Sequence, residues 1–168
     1  MKREIRFSEK LLLIGYGIIL LFMFVQDWIP IGSLNDVEAI LEINSFDYVL
    51  TTTIINAGQI LFIMGGILIF LGKKYPIWIK LWLITHPLCI FVGVLLSWWI
   101  PYFTGIGAAQ KVERYQQMFG DTHSFLPVMN GIVPNTFHTI FHATLFICIV
   151  LTFYITLTDN KNIDIKER

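Results

Sequence analysis

His138 and His142 stand four residues apart in an otherwise apolar stretch, a spacing that puts both imidazoles on one face of a helix. Such a pair can turn its ring nitrogens on one small ion, as in helical zinc sites. The glutamate of the metalloprotease motif is missing, since Thr139, Ile140 and Phe141 lie between the two. His123 is a candidate third ligand, with Asp121 or Glu113 as fourth ligand or base. A divalent metal (Zn, Fe or Cu) held by His123, His138, His142 and Asp121 is therefore one reading, and it implies a metal-dependent membrane enzyme or redox protein. Haem fits the pair poorly, because one helix face offers both ligands from the same side of the iron. A haem between His86 and His138 is the other geometry available.

A second reading needs no metal. Thr52, Asn56 and Gln59 recur on one face of another apolar stretch, and Asn56 or Gln59 can hydrogen-bond His138 or His142 across helices. Asn135 precedes the histidine pair, Gln26 and Asp27 close the first apolar stretch, and His86 shares a face with Ile90, Gly93 and Ser97. Polar groups in hydrocarbon are costly, so each needs a partner or a purpose. Asp27, Asn56, Gln59, His86, Asn135, His138 and His142 together would wall a pocket for a small ligand, a lipid headgroup or a partner protein. A third reading is a proton-coupled carrier running through His86.

Other chemistries lack their residues. There is no G-x-S-x-G, no P-loop and no intramembrane carboxylate pair. The two cysteines, Cys89 and Cys148, form no CxxC pair and lie in apolar runs, where free cysteine behaves as a small apolar residue; a disulfide between helices is the alternative. Net charge is +0 and no basic stripe is interleaved with aromatics, which argues against a nucleic-acid partner.

The elements that must position these residues are membrane helices. Of 168 residues, 55% are hydrophobic and only 14% charged, against about 25% charged in soluble domains. Uncharged apolar runs cover about residues 11–28, 48–71, 76–100 and 134–157. Each supplies the ~20 helical residues that cross a hydrocarbon core, with Trp and Tyr near the ends. The first run follows Lys2, Arg3, Arg6 and Lys10 as a signal peptide would, yet no small-x-small cleavage pattern comes after it, so it reads as an uncleaved span. Ten of the twelve basic residues lie in the N-terminal tail, residues 72–80 and the C-terminal tail, among them Lys161, Lys166 and Arg168. The positive-inside rule then places both termini in the cytoplasm. The fold class is an all-α, integral membrane four-helix bundle, N-in/C-in, a single domain of residues 1–168 with two partly helical extracytoplasmic loops.

Those loops carry their own signals. Ser33 and Asp36 fit a capping box before Val37, Ile40 and Leu41, which predicts a short interfacial helix. Ala108, Val112, Tyr115 and Phe119 share one helical face, which predicts a helix lying over the bundle as a partial lid. Pro87 predicts a kink in the third span. Placed at depth, Asn56, Gln59, His138 and His142 all fall in the outward half of the bundle, whereas the inner half is almost wholly apolar.

The stretches Asp27-Trp28-Ile29-Pro30-Ile31-Gly32-Ser33-Leu34-Asn35-Asp36, Trp98-Trp99-Ile100-Pro101-Tyr102 and Met118-Phe119-Gly120-Asp121-Thr122-His123-Ser124-Phe125-Leu126-Pro127 resemble those of a family of small bacterial four-helix membrane proteins. The resemblance would cover most of the chain. It implies a bacterial plasma membrane and carries no activity, substrate or ligand with it.

Overall fold

The computed structural model describes residues 3–158. Lys2, Lys161, Lys166 and Arg168, counted above for orientation, lie outside the described residues. The chain is all-helical among them, with one isolated bridge between Met129 and Ile132 as its only strand-like pairing. The elements are α1 (Phe7–Val25), a 3-10 turn (Gly32–Leu34), α2 (Val37–Ile43), α3 (Phe46–Phe70), α4 (Ile77–Val94), a π-helical turn (Leu95–Trp99), α5 (Ile100–Thr104), α6 (Val112–Phe119) and α7 (Thr136–Thr158).

Four helices are long and apolar enough to cross a membrane: α1, α3, α7 and the continuous run Ile77–Thr104. Only 22–39% of each spanning stretch is buried inside the bundle. The outward faces carry residues such as Phe7, Phe62 and Leu157, far more exposed apolar surface than a water-soluble monomer shows. The first span stops at Val25, short of Trp28, and the third runs beyond Ile100 to Thr104.

Local chemistry sets the helix starts. Glu9 reaches back to the Arg6 amide at 2.9 Å, Ser45 Oγ accepts from Tyr48 N at 3.3 Å, and Asn135 Oδ1 accepts from His138 N at 2.8 Å. Each satisfies one of the amide donors that a helix start leaves open. The capping box expected at Ser33 is displaced. Asp36 itself caps α2 by accepting from Ala39 N at 3.0 Å, and Ser33 sits in the 3-10 turn before it. The predicted lid helix is shorter than residues 108–119, because Gly105 and Gly107 take positive φ (76° and 73°) and turn the chain before α6. At Pro87 helical winding continues, and the irregularity falls instead at Leu95–Trp99.

The termini and the α3–α4 turn share one end of the bundle, here the terminal end. Arg3 N donates to Gly72 O at 2.8 Å, and Arg6 donates to Ile155 O and Thr158 Oγ1. Glu9 is fully buried there and takes a two-pronged ion pair from Arg3, at 2.8 and 2.6 Å. Above it runs the apolar core, including Leu12, Tyr16, Ile19, Ile60, Ile63, Ile67 and Leu145. Helix α1 packs on both α3 and α7, and α7 also packs on α4. Helices α3 and α4 meet only over a short stretch near the terminal end, where Phe62 and Trp82 pack edge to face at 4.9 Å and Gly66 lies against Trp82 and Ile79. The seam between α3 and α4 is thus the loose one.

Candidate functional site

Towards the loop end, α3 and α4 part around a cavity of about 390 Å³. It falls in the size range of small-molecule sites, roughly 300–1,000 Å³. Its walls come from α1 and the residues just past it (Phe22, Met23, Gln26, Asp27), α3 (Thr53, Asn56), the third span (Ile90, Gly93, Val94, Ser97, Trp98) and α7 (His138, Phe141, His142).

Two asparagines outside the cavity aim these groups. The Asn35 amide nitrogen lies 3.2, 2.9 and 2.9 Å from the carbonyls of Val25, Gln26 and Ile29, while its oxygen accepts from Ile31 N at 2.7 Å. This buried side chain closes the end of α1, so that Gln26 and Asp27 are held at the cavity wall. Asn135, also buried, caps α7 and in addition faces His138 Nδ1 at 2.9 Å through the same oxygen. Its nitrogen is committed to Thr122 Oγ1 at 3.1 Å and Leu34 O at 3.5 Å, so Oδ1 is the acceptor. The ring of His138 must therefore carry its proton on Nδ1, which leaves Nε2 as an acceptor.

Aromatic packing fixes the ring further. Trp98, Phe119 and Phe22 surround His138 with centroids at 4.7, 4.9 and 5.6 Å. Phe22 stacks on Phe141 at 4.5 Å, and His142 lies 6.0 Å from His138. Trp98 belongs to the π-helical turn, a feature that recurs at functional sites. The carbonyls that this turn exposes are taken up by α6 and its approach. Lys111 Nζ donates to Leu96 O at 2.7 Å, and the Tyr115 hydroxyl donates to Ser97 O at 3.1 Å. Burial pushes the Tyr115 phenol above its ordinary range, with Arg114 opposing.

Several cavity groups lack protein partners among the described residues. Gln26 is 5% exposed, and neither its Oε1 nor its Nε2 has a hydrogen bond. His142 is 3% exposed with Nδ1 unbonded. Asp27 and Asn56 line the cavity with no side-chain hydrogen bond or ion pair. Asp27 lies two residues past the first spanning helix, and desolvation pushes its carboxyl up to about 6. Thr53 differs, since its hydroxyl accepts from Trp28 Nε1 at 2.9 Å. Buried polar groups normally find partners, and leaving them unpaired costs about 1–3 kcal/mol each.

The structure therefore brings Asp27, Asn56, His138 and His142 to one cavity, with Asn135 directly behind His138. Gln59 lies one turn deeper on α3 than Asn56 and does not line it. His86 lies one turn deeper than Ile90, with its ring beside Trp82 at 5.7 Å. The candidate metal ligands are not gathered. His123 is exposed, with Nδ1 2.8 Å from Thr136 Oγ1, its amide on Ser33 O and its carbonyl accepting from Thr136 N. Asp121 lines a different, acidic pocket with Asp36, Glu38 and Glu42. No group of three or more His, Cys, Asp or Glu side chains among the described residues could hold a metal ion. Cys148 is buried, Cys89 is on the outer surface, and both are free. Gln26, Thr53, Ser97 and Trp98 complete the cavity and were not among the predicted site residues. Gln26 was visible as a polar residue ending an apolar run, whereas Trp98 reads as an interfacial anchor.

No family model, curated protein or solved structure matches the chain. Its functional reading accordingly rests on the geometry of the cavity.

Proposed function

We propose that this chain is a multi-pass protein of the bacterial plasma membrane, with both termini in the cytoplasm, whose outward-half cavity binds a small hydrogen-bonding molecule. The basic residues at the terminal end, including Arg3, Arg6, Lys10, Lys73, Lys74 and Lys80, support that orientation. The observation that carries the reading is the set of polar side chains from three separate segments, Gln26 and Asp27, Asn56, and His142. All face one cavity in an apolar bundle without protein partners among the described residues. A bundle built only for stability would fill that space with apolar side chains, because unpaired buried polar groups weaken it. A ligand that supplies the missing donors and acceptors recovers the cost.

Native mass spectrometry of the full chain, released gently from its own membranes, tests the reading. The expected result is one bound small molecule per chain, lost from Gln26→Met and from His142→Leu while circular dichroism stays unchanged. A wild-type chain with no bound molecule, or variants that hold it as tightly, would overturn the proposal.

A further inference from the structure

The cavity's chemistry and its open side narrow the ligand, on the assumption that the reading above holds. The lining carries one ionisable acid, Asp27, and no lysine or arginine. Of the two basic residues in this connection, Lys111 spends its ammonium on the Leu96 and Ser97 carbonyls and Arg114 donates to Asn44 Oδ1. The groups facing the cavity without a protein partner include several acceptors, the Asp27 carboxylate, the Gln26 and Asn56 amide oxygens and His138 Nε2, beside the N–H donors of the two amides; the acceptor role of His138 Nε2 follows from the Asn135 contact. Aromatic rings of Phe22, Trp98 and Phe141 form the remaining wall, and such faces attract cations. An anionic head would find no positive side chain here. An ammonium supplies donors to these acceptors and a positive charge opposite Asp27, where the wall carries no lysine or arginine.

The way in is equally constrained. On the loop side the cavity is roofed. Trp98 packs under Tyr115 and Phe119 at 4.4 and 5.4 Å, and α2 and α6 close over the start of α3 through Ile40, Val49 and Met118. The Trp28–Thr53 hydrogen bond ties the end of α1 to α3 on the same side. Between α3 and α4 there is no such closure. Gly93 is exposed, lines the cavity, and a Cβ built on it would meet nothing within 4 Å. That gap faces the direction in which lipid would lie.

Size decides what enters. At ~30 Å³ per water-sized group, the 390 Å³ cavity holds roughly a dozen such groups. This is room for a head and the first few carbons, so a longer tail must remain in the gap among the lipids. We infer that the ligand is an amine-headed amphiphile that reaches the cavity sideways from the bilayer, between α3 and α4, and seats its ammonium against Asp27 and His138.

The test uses the full chain in zwitterionic-lipid nanodiscs doped in turn with oleylamine, monoolein or oleic acid at equal mole fraction. Soluble butylamine is a fourth arm, and native mass spectrometry counts the bound molecules. The expected result is one retained oleylamine, with monoolein, oleate and butylamine each at least tenfold weaker. Asp27→Asn should weaken oleylamine about tenfold and leave monoolein unchanged. Gly93→Trp, which fills the gap from a position with open space, should lower oleylamine occupancy at unchanged thermal stability. Equal retention of the three amphiphiles, or no effect of Asp27→Asn, overturns the amine head. Butylamine binding as tightly as oleylamine, with no effect of Gly93→Trp, overturns the lateral path. In either case a molecule lost from native chain by Gln26→Met would still stand for the pocket itself. Absence of every ligand, native molecule included, sinks both.

Discussion

Gln26→Met should make the unliganded protein more stable while removing its ligand. Gln26 is 5% exposed, and both polar atoms of its amide lack partners among the described residues. The penalty for such a group is about 1–3 kcal/mol, and methionine fills a similar volume with a flexible apolar chain. Reshaping the wall around a thioether offsets part of the gain, by less than about 1.5 kcal/mol for volume-conserving exchanges. A net gain on the order of 1–2 kcal/mol follows, which for a chain of this size is a rise of roughly 2–8 °C in Tm. Thermal unfolding of ligand-stripped protein, followed by circular dichroism in mild detergent, measures it. The same sample in the native mass spectrum should no longer hold its bound molecule. A fall in Tm for the stripped variant would refute the reasoning, since it would show that the amide serves the fold and not an occupant. Stability given up at a binding wall is a common trade in proteins.

Other outcomes follow from the same geometry. Glu9→Gln removes the buried carboxylate that the partly exposed Arg3 grips at 2.8 and 2.6 Å, and losing such charged hydrogen bonds costs about 1.5–3 kcal/mol; a chain with unchanged Tm would contradict it. Gly15→Ala places a Cβ 2.5 Å from Cys148 Sγ and should destabilise the α1–α7 contact by about 1–3 kcal/mol, with Cys148→Ala restoring most of the loss in a double-mutant cycle. Oleylamine binding should fall as pH drops through about 6, because the raised Asp27 carboxyl is then protonated and His138 and His142 in the same cavity can only add positive charge. Without ligand the sign reverses: a carboxyl whose folded pKa lies above its ordinary value favours the folded state at low pH, and stability is lost as pH rises through about 6. Asp27→Asn should flatten both pH profiles between the ordinary carboxyl range and about 6. His123→Cys should react with a membrane-impermeant maleimide on intact cells; labelling only after lysis would reverse the proposed orientation.

How far the site was readable depended on what each residue's surroundings could hide. Asn56, His138 and His142 stand out because a polar side chain inside a long apolar run has few places to go, and the cavity is where they went. Helical phase was harder to fix. Thr52 shares a helical face with Asn56 by its i,i+4 spacing, yet the cavity takes Thr53, the i,i+3 neighbour of Asn56, because it opens on the other flank of that side chain. Gln26 and Asp27 sit at a span edge, where polar residues are ordinary, and only the distant Asn35 turns them to the cavity wall. The candidate metal ligands lie apart among the described residues for a similar reason. Turn-rich segments reveal that side chains are positioned but not where, and the backbone at His123 is spent on Ser33 and Thr136. The four helices themselves were legible because each is a long apolar run of the length that crosses a hydrocarbon core. The loose α3–α4 seam was not, since it depends on how the packing of α1 and α7 shares out the available faces.

The widened turn at Leu95–Trp99 acts as a phase shifter for everything that comes after it. A π-turn holds one residue more than an α-helical frame would, and one residue is roughly 100° of rotation. Tyr102 lies beyond it, buried, with its hydroxyl on Pro127 O and its carbonyl on Asn130 Nδ2. Excising a single residue from the wide turn would keep the span helical yet swing Tyr102 towards the surrounding medium. The second long connection would then be unmoored at a point far from the deletion, so the spacing of this stretch is as much a constraint on the chain as the identity of its tryptophans.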